Sequence, residues 1–261
     1  MVSGISLYSI VPVRAEARES AEQNTQILFG ETFEVLEQQP KWHRVRLYSD
    51  GQEGYIDAKM CTLMKDDEYS AYTAALKKAA MVAFPMTYAV SENNGQTIPL
   101  TAGTKLANYQ NGRFEVLGVG FRIDPNMVIT APRELTQENL LQTVRFFLNV
   151  PYLWGGKNAL GMDCSGFTQT VMSLFGKHLL RNASEQATQG EKVAELSQAK
   201  AGDLAFFDHE DGKISHVGIV IDPERIIHGS GRVKVEKLDT TGIYNTELGD
   251  YSHHLVQIRR V

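Results

Sequence analysis

Residues 162–176 read MDCSGFTQTVMSLFG. Phe167, Val171, Leu174 and Phe175 recur at helical spacing and Gly176 supplies a stop, so residues 165–175 predict a buried helix. Cys164 stands at its entry, followed by the small residues Ser165 and Gly166. A helix start offers unpaired N–H groups and partial positive charge. Both favour thiolate over thiol, and thiolate is the nucleophile. The same amides can receive an oxyanion. On position alone a buried structural cysteine fits as well.

Upstream, the loop 152–163 carries Gly155, Gly156 and Gly161. Before it, Thr136 can cap a helix whose apolar face holds Leu140, Leu141, Val144, Phe147 and Leu148, and Pro151 ends it. Downstream of Gly202 the pattern turns to strands at 203–207, 216–221, 225–228, 233–237 and 254–261. A helix followed by an antiparallel strand set is α+β. The front half differs. Short strands at 5–10, 26–28, 32–37, 42–47 and 53–56 are separated by turn signals such as Ser49-Asp50-Gly51. A weaker set follows at 81–84, 88–90, 105–109, 113–117 and 127–129, with hairpin signals at Asn93-Asn94-Gly95 and Asn111-Gly112. A helical stretch, 66–78, joins the two. The expected organisation is a β module over 1–63, a second with the bridging helix over 64–133, and an α+β domain over 134–261.

Two histidines bear on Cys164. In Ser215-His216-Val217-Gly218-Ile219-Val220-Ile221, alternation puts His216, Gly218 and Val220 on one strand face. His228 ends the next apolar run, after the turn Asp222-Pro223-Glu224. With the odd loop 222–224, Ile221 pairs with Arg225 and His228 falls opposite Gly218, on the face of His216. An even loop would separate the imidazoles. A thiol needs a base within reach, and the base needs a third group to orient it. Two histidines on adjacent strands can supply both. Zinc is not expected: the Cys/His spacings are long, with no CxxC or HxxxH. His209, His253 and His254 read as exposed loop or edge residues, and neither they nor His43 receive a role.

Composition narrows the classes. The 261 residues carry 26 Lys+Arg against 31 Asp+Glu, a net charge of −5. With a pI near 5.8, that balance argues against a nucleic-acid or anionic-membrane partner. No apolar run is long enough to span a bilayer. Two cysteines, Cys61 and Cys164, exclude a disulfide scaffold, and Cys61 reads as structural. Residues 1–12 carry no basic leader, so an unexported, cytoplasmic protein is expected, or a periplasmic or secreted one if a leader was removed.

Five motifs in order resemble the NlpC/P60 cysteine peptidases: Pro151-Tyr152-Leu153-Trp154-Gly155-Gly156, Asp163-Cys164-Ser165-Gly166-Phe167, residues 201–207 (AGDLAFF), His216-Val217-Gly218-Ile219 and Ile227-His228-Gly229-Ser230. The front half resembles bacterial SH3 (SH3b) domains through Val11-Pro12-Val13-Arg14-Ala15, Phe29-Gly30-Glu31, Trp42-His43-Arg44-Val45-Arg46 and Gly54-Tyr55-Ile56. The second module departs more. It keeps Ile98-Pro99-Leu100-Thr101-Ala102-Gly103-Thr104, but its Arg and Trp signatures are degenerate. The resemblance implies a multidomain protein: two small SH3-like β-barrels, then an α+β papain-like catalytic domain.

Tandem SH3b modules followed by an NlpC/P60 domain are similar to the YkfC-like branch, the γ-D-glutamyl-L-diamino-acid endopeptidases of murein peptides. That resemblance implies Cys164 as nucleophile, His216 as base and His228 as orienter. It implies Tyr152 near the oxyanion, with Trp154, Asp163, Ser165 and Ser184 lining the pocket and Asp163 facing the free ammonium of L-Ala. It further implies that the first SH3b module closes the amine end with an acid and a tyrosine, for which Glu22 and Tyr55 are the candidates. The expected partner is a murein peptide, L-Ala-γ-D-Glu followed by L-Lys or diaminopimelate. No cofactor or metal, nucleic acid or membrane is implied, and a monomer is expected. Two other readings stay open: a non-catalytic peptidoglycan-binding protein, and a papain-like amidase or acyltransferase using the same three residues.

Overall fold

The computed structural model describes residues 2–208 and 212–261, so His209 lies outside the described residues. The chain divides into two compact units, 1–131 and 132–261.

The first unit opens with seven strands: β1 (Ser3–Ile5), β2 (Ile10–Arg14), β3 (Gln23–Leu28), β4 (Thr32–Gln38), β5 (Trp42–Leu47), β6 (Glu53–Asp57) and β7 (Thr62–Met64). They form one antiparallel sheet in the order β3-β2-β6-β5-β4-β1-β7. Alternation supplies its core, because Val11, Val13, Val35, Val45, Leu47 and Ile56 all point inward with Ile27 and Phe33. The expected strand 5–10 is in fact broken. Ser6 Oγ accepts from Tyr8 N–H and donates to Tyr8 O, each at 3.3 Å, and this local turn ends β1 before β2 begins.

Helix α1 (Asp66–Leu76) leads to β8 (Ala80–Val82), β9 (Met86–Ser91), β10 (Thr97–Thr101), β11 (Lys105–Leu106), β12 (Arg113–Val116), β13 (Val119–Ile123) and β14 (Val128–Ile129). These make two small sheets, β10-β9-β13-β12 and β11-β8-β14. A common core joins both sets of strands. Phe29 meets Phe114 and Phe121 edge-on at centroid distances of 6.3 and 5.4 Å, and Tyr72 of α1 donates to Gly30 O at 2.9 Å.

The second unit begins with α2 (Gln137–Val144), capped by Thr136 Oγ1, which accepts from Asn139 N–H at 3.2 Å. Leu140, Val144 and Phe147 are buried, but Leu141 and Leu148 are exposed, contrary to the expected face. A tight 3₁₀ turn over Arg145–Phe147 interrupts the helical register and carries Leu148 outward. A short hairpin, β15 (Lys157–Asn158) with β16 (Gly161–Met162), precedes α3 (Cys164–Ser173). α3 ends as Gly176 and the apolar spacing predict: Gly176 adopts φ 72°, Lys177 N–H bonds to Met172 O and Gly176 N–H to Ser173 O, both at 3.0 Å.

After α4 (Ala183–Gln186) come β17 (Glu191–Val193), β18 (Leu204–Asp208), β19 (His216–Asp222), β20 (Arg225–Ser230), β21 (Arg232–Leu238), β22 (Gly242–Asn245) and β23 (Asp250–Arg260). Their order is β17-β23-β18-β19-β20-β21-β22, and β22 also pairs with β23. One core contains Ala205, Phe207, Val220, Ile226, Leu238, Ile243 and Ile258, and α3 packs against β19 and β20. Among the described residues no helix is long and apolar enough to cross a membrane.

Candidate active site

Local structure fixes Cys164 first. Asp163 is the N-cap of α3, and its Oδ1 accepts from Gly166 N–H at 2.6 Å. Gly166 is required here, since a Cβ on it would collide with Gly156 O, so the loop lies directly on the helix start. Asp163 Oδ2 accepts from Gly155 N–H at 2.9 Å, which ties the glycine loop to the same cap. Arg181, only 1% exposed, completes the clamp with contacts of 2.6 and 3.1 Å to the two carboxylate oxygens and 2.8 Å to Ser165 Oγ. Arg181 is not apparent from the sequence, because a lone arginine in a polar segment reads as exposed.

The thiol so placed is 6% exposed. Burial pushes Cys164 up to about 11 and the Asp163 charge adds to this, while the N–H groups of Val217 and Ser165 and the Arg181 charge act in the opposite direction. Val217 follows His216 directly. Gly229, which follows His228, passes so near that a Cβ on it would lie 3.6 Å from Cys164 N. The cysteine therefore abuts the chain beside both histidines. Tyr152 is half-buried, and its phenol is held well above the usual range by burial and by the nearby Cys164 and Asp163 charges, so it is an O–H donor at neutral pH.

The histidines meet. His228 pairs with Gly218, and His216 Nε2 lies 2.8 Å from His228 Nδ1. The turn differs in one detail from the expected odd loop: Asp222, not Ile221, pairs with Arg225, and a bulge falls at Ile221. The Asp222 carboxylate causes this, since it accepts from Glu224 N–H at 3.1 Å and from Arg225 Nε at 2.8 Å. The bulge restores the register beyond it, leaving both imidazoles on one face.

Two further groups enter this cluster. Glu236 Oε2 lies 2.8 Å from His228 Nε2, and Lys234 Nζ lies 3.1 Å from Glu236 Oε1. His253, expected at an exposed edge, is buried and stacks on His216 at 4.1 Å between ring centroids. It is buried because β22 pairs with β23 across Ile243 and His253. The alternation in Val233-Lys234-Val235-Glu236 was the available signal for Glu236, given the register set by the turn at Gly231.

The remaining expected residues are distributed more widely. Trp154 is 59% exposed on the loop, Ser165 is buried in the Arg181 clamp, and Ser184 is exposed on α4. Both oxygens of Asp163 have internal partners, and its charge is paired with Arg181. Glu22 and Tyr55 belong to the first unit, where both adjoin the end of β2: Glu22 O accepts from Ala15 N–H at 2.9 Å, and Tyr55 pairs with Arg14. Among the described residues no cluster of three or more His, Cys, Asp or Glu side chains could hold a metal ion.

A thiol at a helix start, with coupled imidazoles on the adjoining antiparallel sheet, supplies the groups that cysteine-hydrolase chemistry needs. Residues 149–251 match the NlpC/P60 family, and residues 13–59 match the bacterial dipeptidyl-peptidase Sh3 domain. The chain belongs to the NlpC/P60 family of peptidases, and it joins that catalytic domain to an SH3-like domain. It is 33% identical to a γ-D-glutamyl-L-lysine dipeptidyl-peptidase of Bacillus subtilis, over 86% of this chain and 78% of that protein. It is 38% identical to a probable endopeptidase p60 of Listeria innocua, over 40% of this chain and 22% of that protein. The crystal structure of an NlpC/P60 family protein from Bacillus cereus superposes with a TM-score of 0.83 at 20% identity, covering 99% of both chains.

Proposed function

We propose that the chain hydrolyses the γ-D-glutamyl–L-diamino acid bond of murein peptides, releasing L-Ala-γ-D-Glu. The observation that carries this reading is the imidazole pair joined at 2.8 Å beside the helix-borne Cys164. The likeness along most of its length to a peptidase named for that bond supports the specificity. Cys164 attacks the γ-carbonyl of D-glutamate while His216 takes the thiol proton. The oxyanion is received by N–H groups at the start of α3 and by the Tyr152 O–H. His216 then gives its proton to the leaving amine, and a thioester remains on Cys164. Water, deprotonated by His216, hydrolyses it. The catalytic domain is papain-like in this arrangement of helix, thiol and sheet-borne histidine.

A charge-assisted contact with a carboxylate would hold the free ammonium of L-Ala, and Asp163 is the candidate for it in the catalytic domain. Such an amine site selects peptides already freed from the wall and gives the enzyme a place in cell-wall peptide recycling. Product mass spectrometry on L-Ala-γ-D-Glu-L-Lys and its diaminopimelate counterpart tests the reading. Release of L-Ala-γ-D-Glu and the free diamino acid is expected. Binding of the peptide without release would favour a wall-binding protein, and transfer to an added amine would favour an acyltransferase.

A further inference from the structure

His228 is wholly buried, and both its ring nitrogens are engaged: Nδ1 with His216 and Nε2 with Glu236, each at 2.8 Å. Proton positions along such a chain are set from whichever end cannot change roles. That end is Glu236. Burial alone would raise its carboxyl, yet the hydrogen bonds from His228 and Lys234 overcome this and hold it below the usual carboxylate range. It is therefore an ion, and a carboxylate only accepts. Lys234 supplies the compensating charge at 3.1 Å.

His228 Nε2 must carry the hydrogen that Glu236 accepts. Burial lowers His228 and outweighs the pull of Glu236, so the ring stays neutral. A neutral imidazole with hydrogen on Nε2 has its lone pair on Nδ1. His228 Nδ1 thus accepts, and His216 Nε2 donates. A neutral His216 that donates from Nε2 has its lone pair on Nδ1.

We propose that Glu236 is a positioning residue that sets the tautomers of both histidines and so makes Nδ1 of His216 the base for Cys164. This rests on the reading of Cys164 and His216 as nucleophile and base. When His216 takes the thiol proton it becomes an imidazolium, and its Nε2–H bond to His228 leads that charge toward the Glu236 carboxylate. His253 stacks on His216 and Lys234 bonds Glu236 beside the pair; the buried Asp208 ends the neighbouring strand β18, and Cys164, next to Asp163 and Arg181, meets β19 at Val217.

The isosteric change Glu236→Gln gives a specific reversal. Its amide oxygen would accept from Lys234, turning the NH₂ toward His228 Nε2. The hydrogen of His228 then moves to Nδ1, that of His216 follows to Nδ1, and the base is blocked. Long-range ¹H–¹⁵N spectra of ¹⁵N-histidine-labelled protein at neutral pH read both tautomers directly. The wild type is expected to show Nε2–H for His216 and His228, and Glu236→Gln to show Nδ1–H for both. The variant should lose kcat by roughly 10²- to 10⁴-fold with KM little changed. Its Cys164 should alkylate with iodoacetamide more slowly at neutral pH, and Glu236→Asp should restore part of both rates. A wild-type spectrum with the His228 hydrogen on Nδ1 overturns the assignment whatever the variant does. A variant with unchanged tautomers and unchanged kcat also overturns it. The spectra and the alkylation need no peptide substrate. A wild type with the expected tautomers but no peptide cleavage would therefore sink the proposed function and leave the relay standing.

Discussion

Gly218 and His228 are cross-strand partners, and a methyl added to Gly218 would stand 2.9 Å from His228 Cβ and 2.7 Å from Ile226 Cδ1. The glycine leaves the space in which His228 reaches His216. Gly218→Ala should therefore displace the imidazole pair more than it harms the fold. We expect a loss of about 1–3 kcal/mol in stability and of roughly 10²-fold in kcat/KM. Thermal melts and steady-state kinetics on the γ-linked tripeptide check both, and wild-type kinetics in the variant would contradict the assignment.

The Arg181–Asp163 pair is buried on both sides, so removing one partner leaves an uncompensated charge. Arg181→Met should cost about 3–5 kcal/mol. Adding Asp163→Asn should recover part of this by removing the stranded carboxylate. Urea midpoints of the single and double variants decide the matter, and a double variant that is weaker than the single would be the contrary result.

Thiol labelling separates the two cysteines. Burial pushes both Cys61 and Cys164 up to about 11, so neither is appreciably ionised at neutral pH by itself. On the proposed function His216 takes the Cys164 proton. Brief iodoacetamide treatment at pH 7 should label Cys164 at least roughly tenfold faster than Cys61. In His216→Ala that advantage should vanish at pH 7, and labelling of Cys164 should rise steadily as pH climbs toward about 11. Peptide mapping by mass spectrometry measures the ratio.

The amine end gives a substrate test. N-acetylation of the tripeptide should raise its KM by roughly 10- to 100-fold, as expected for loss of a hydrogen bond to a charged group. Equal KM values for the free and the N-acetylated peptide would contradict an amine site.

The α3 helix was legible because its signals are local. Phe167, Val171, Leu174 and Phe175 share a face, and Gly176 closes the last turn. The histidine register was legible for a related reason: alternation fixes the face, and the Asp222 bulge left the pairing of Gly218 with His228 intact. What stayed hidden depends on pairing between segments far apart in the chain. His253 looks like an edge residue until β22 closes on β23. Arg181 looks exposed until the Asp163 cap is seen to need a cation. The Ile5–Ile10 segment has strand composition, but the Ser6 hydroxyl turns its backbone away from the ladder.

On the proposed function Cys164 cleaves the bond after γ-D-glutamate. The most direct test compares wild type with Cys164→Ala on L-Ala-γ-D-Glu-L-Lys, following both dipeptide release by mass spectrometry and peptide binding by calorimetry. The wild type is expected to release L-Ala-γ-D-Glu, while Cys164→Ala binds the peptide and releases none above the uncatalysed rate. Undiminished release by Cys164→Ala, or binding without release by the wild type, would contradict the proposed function.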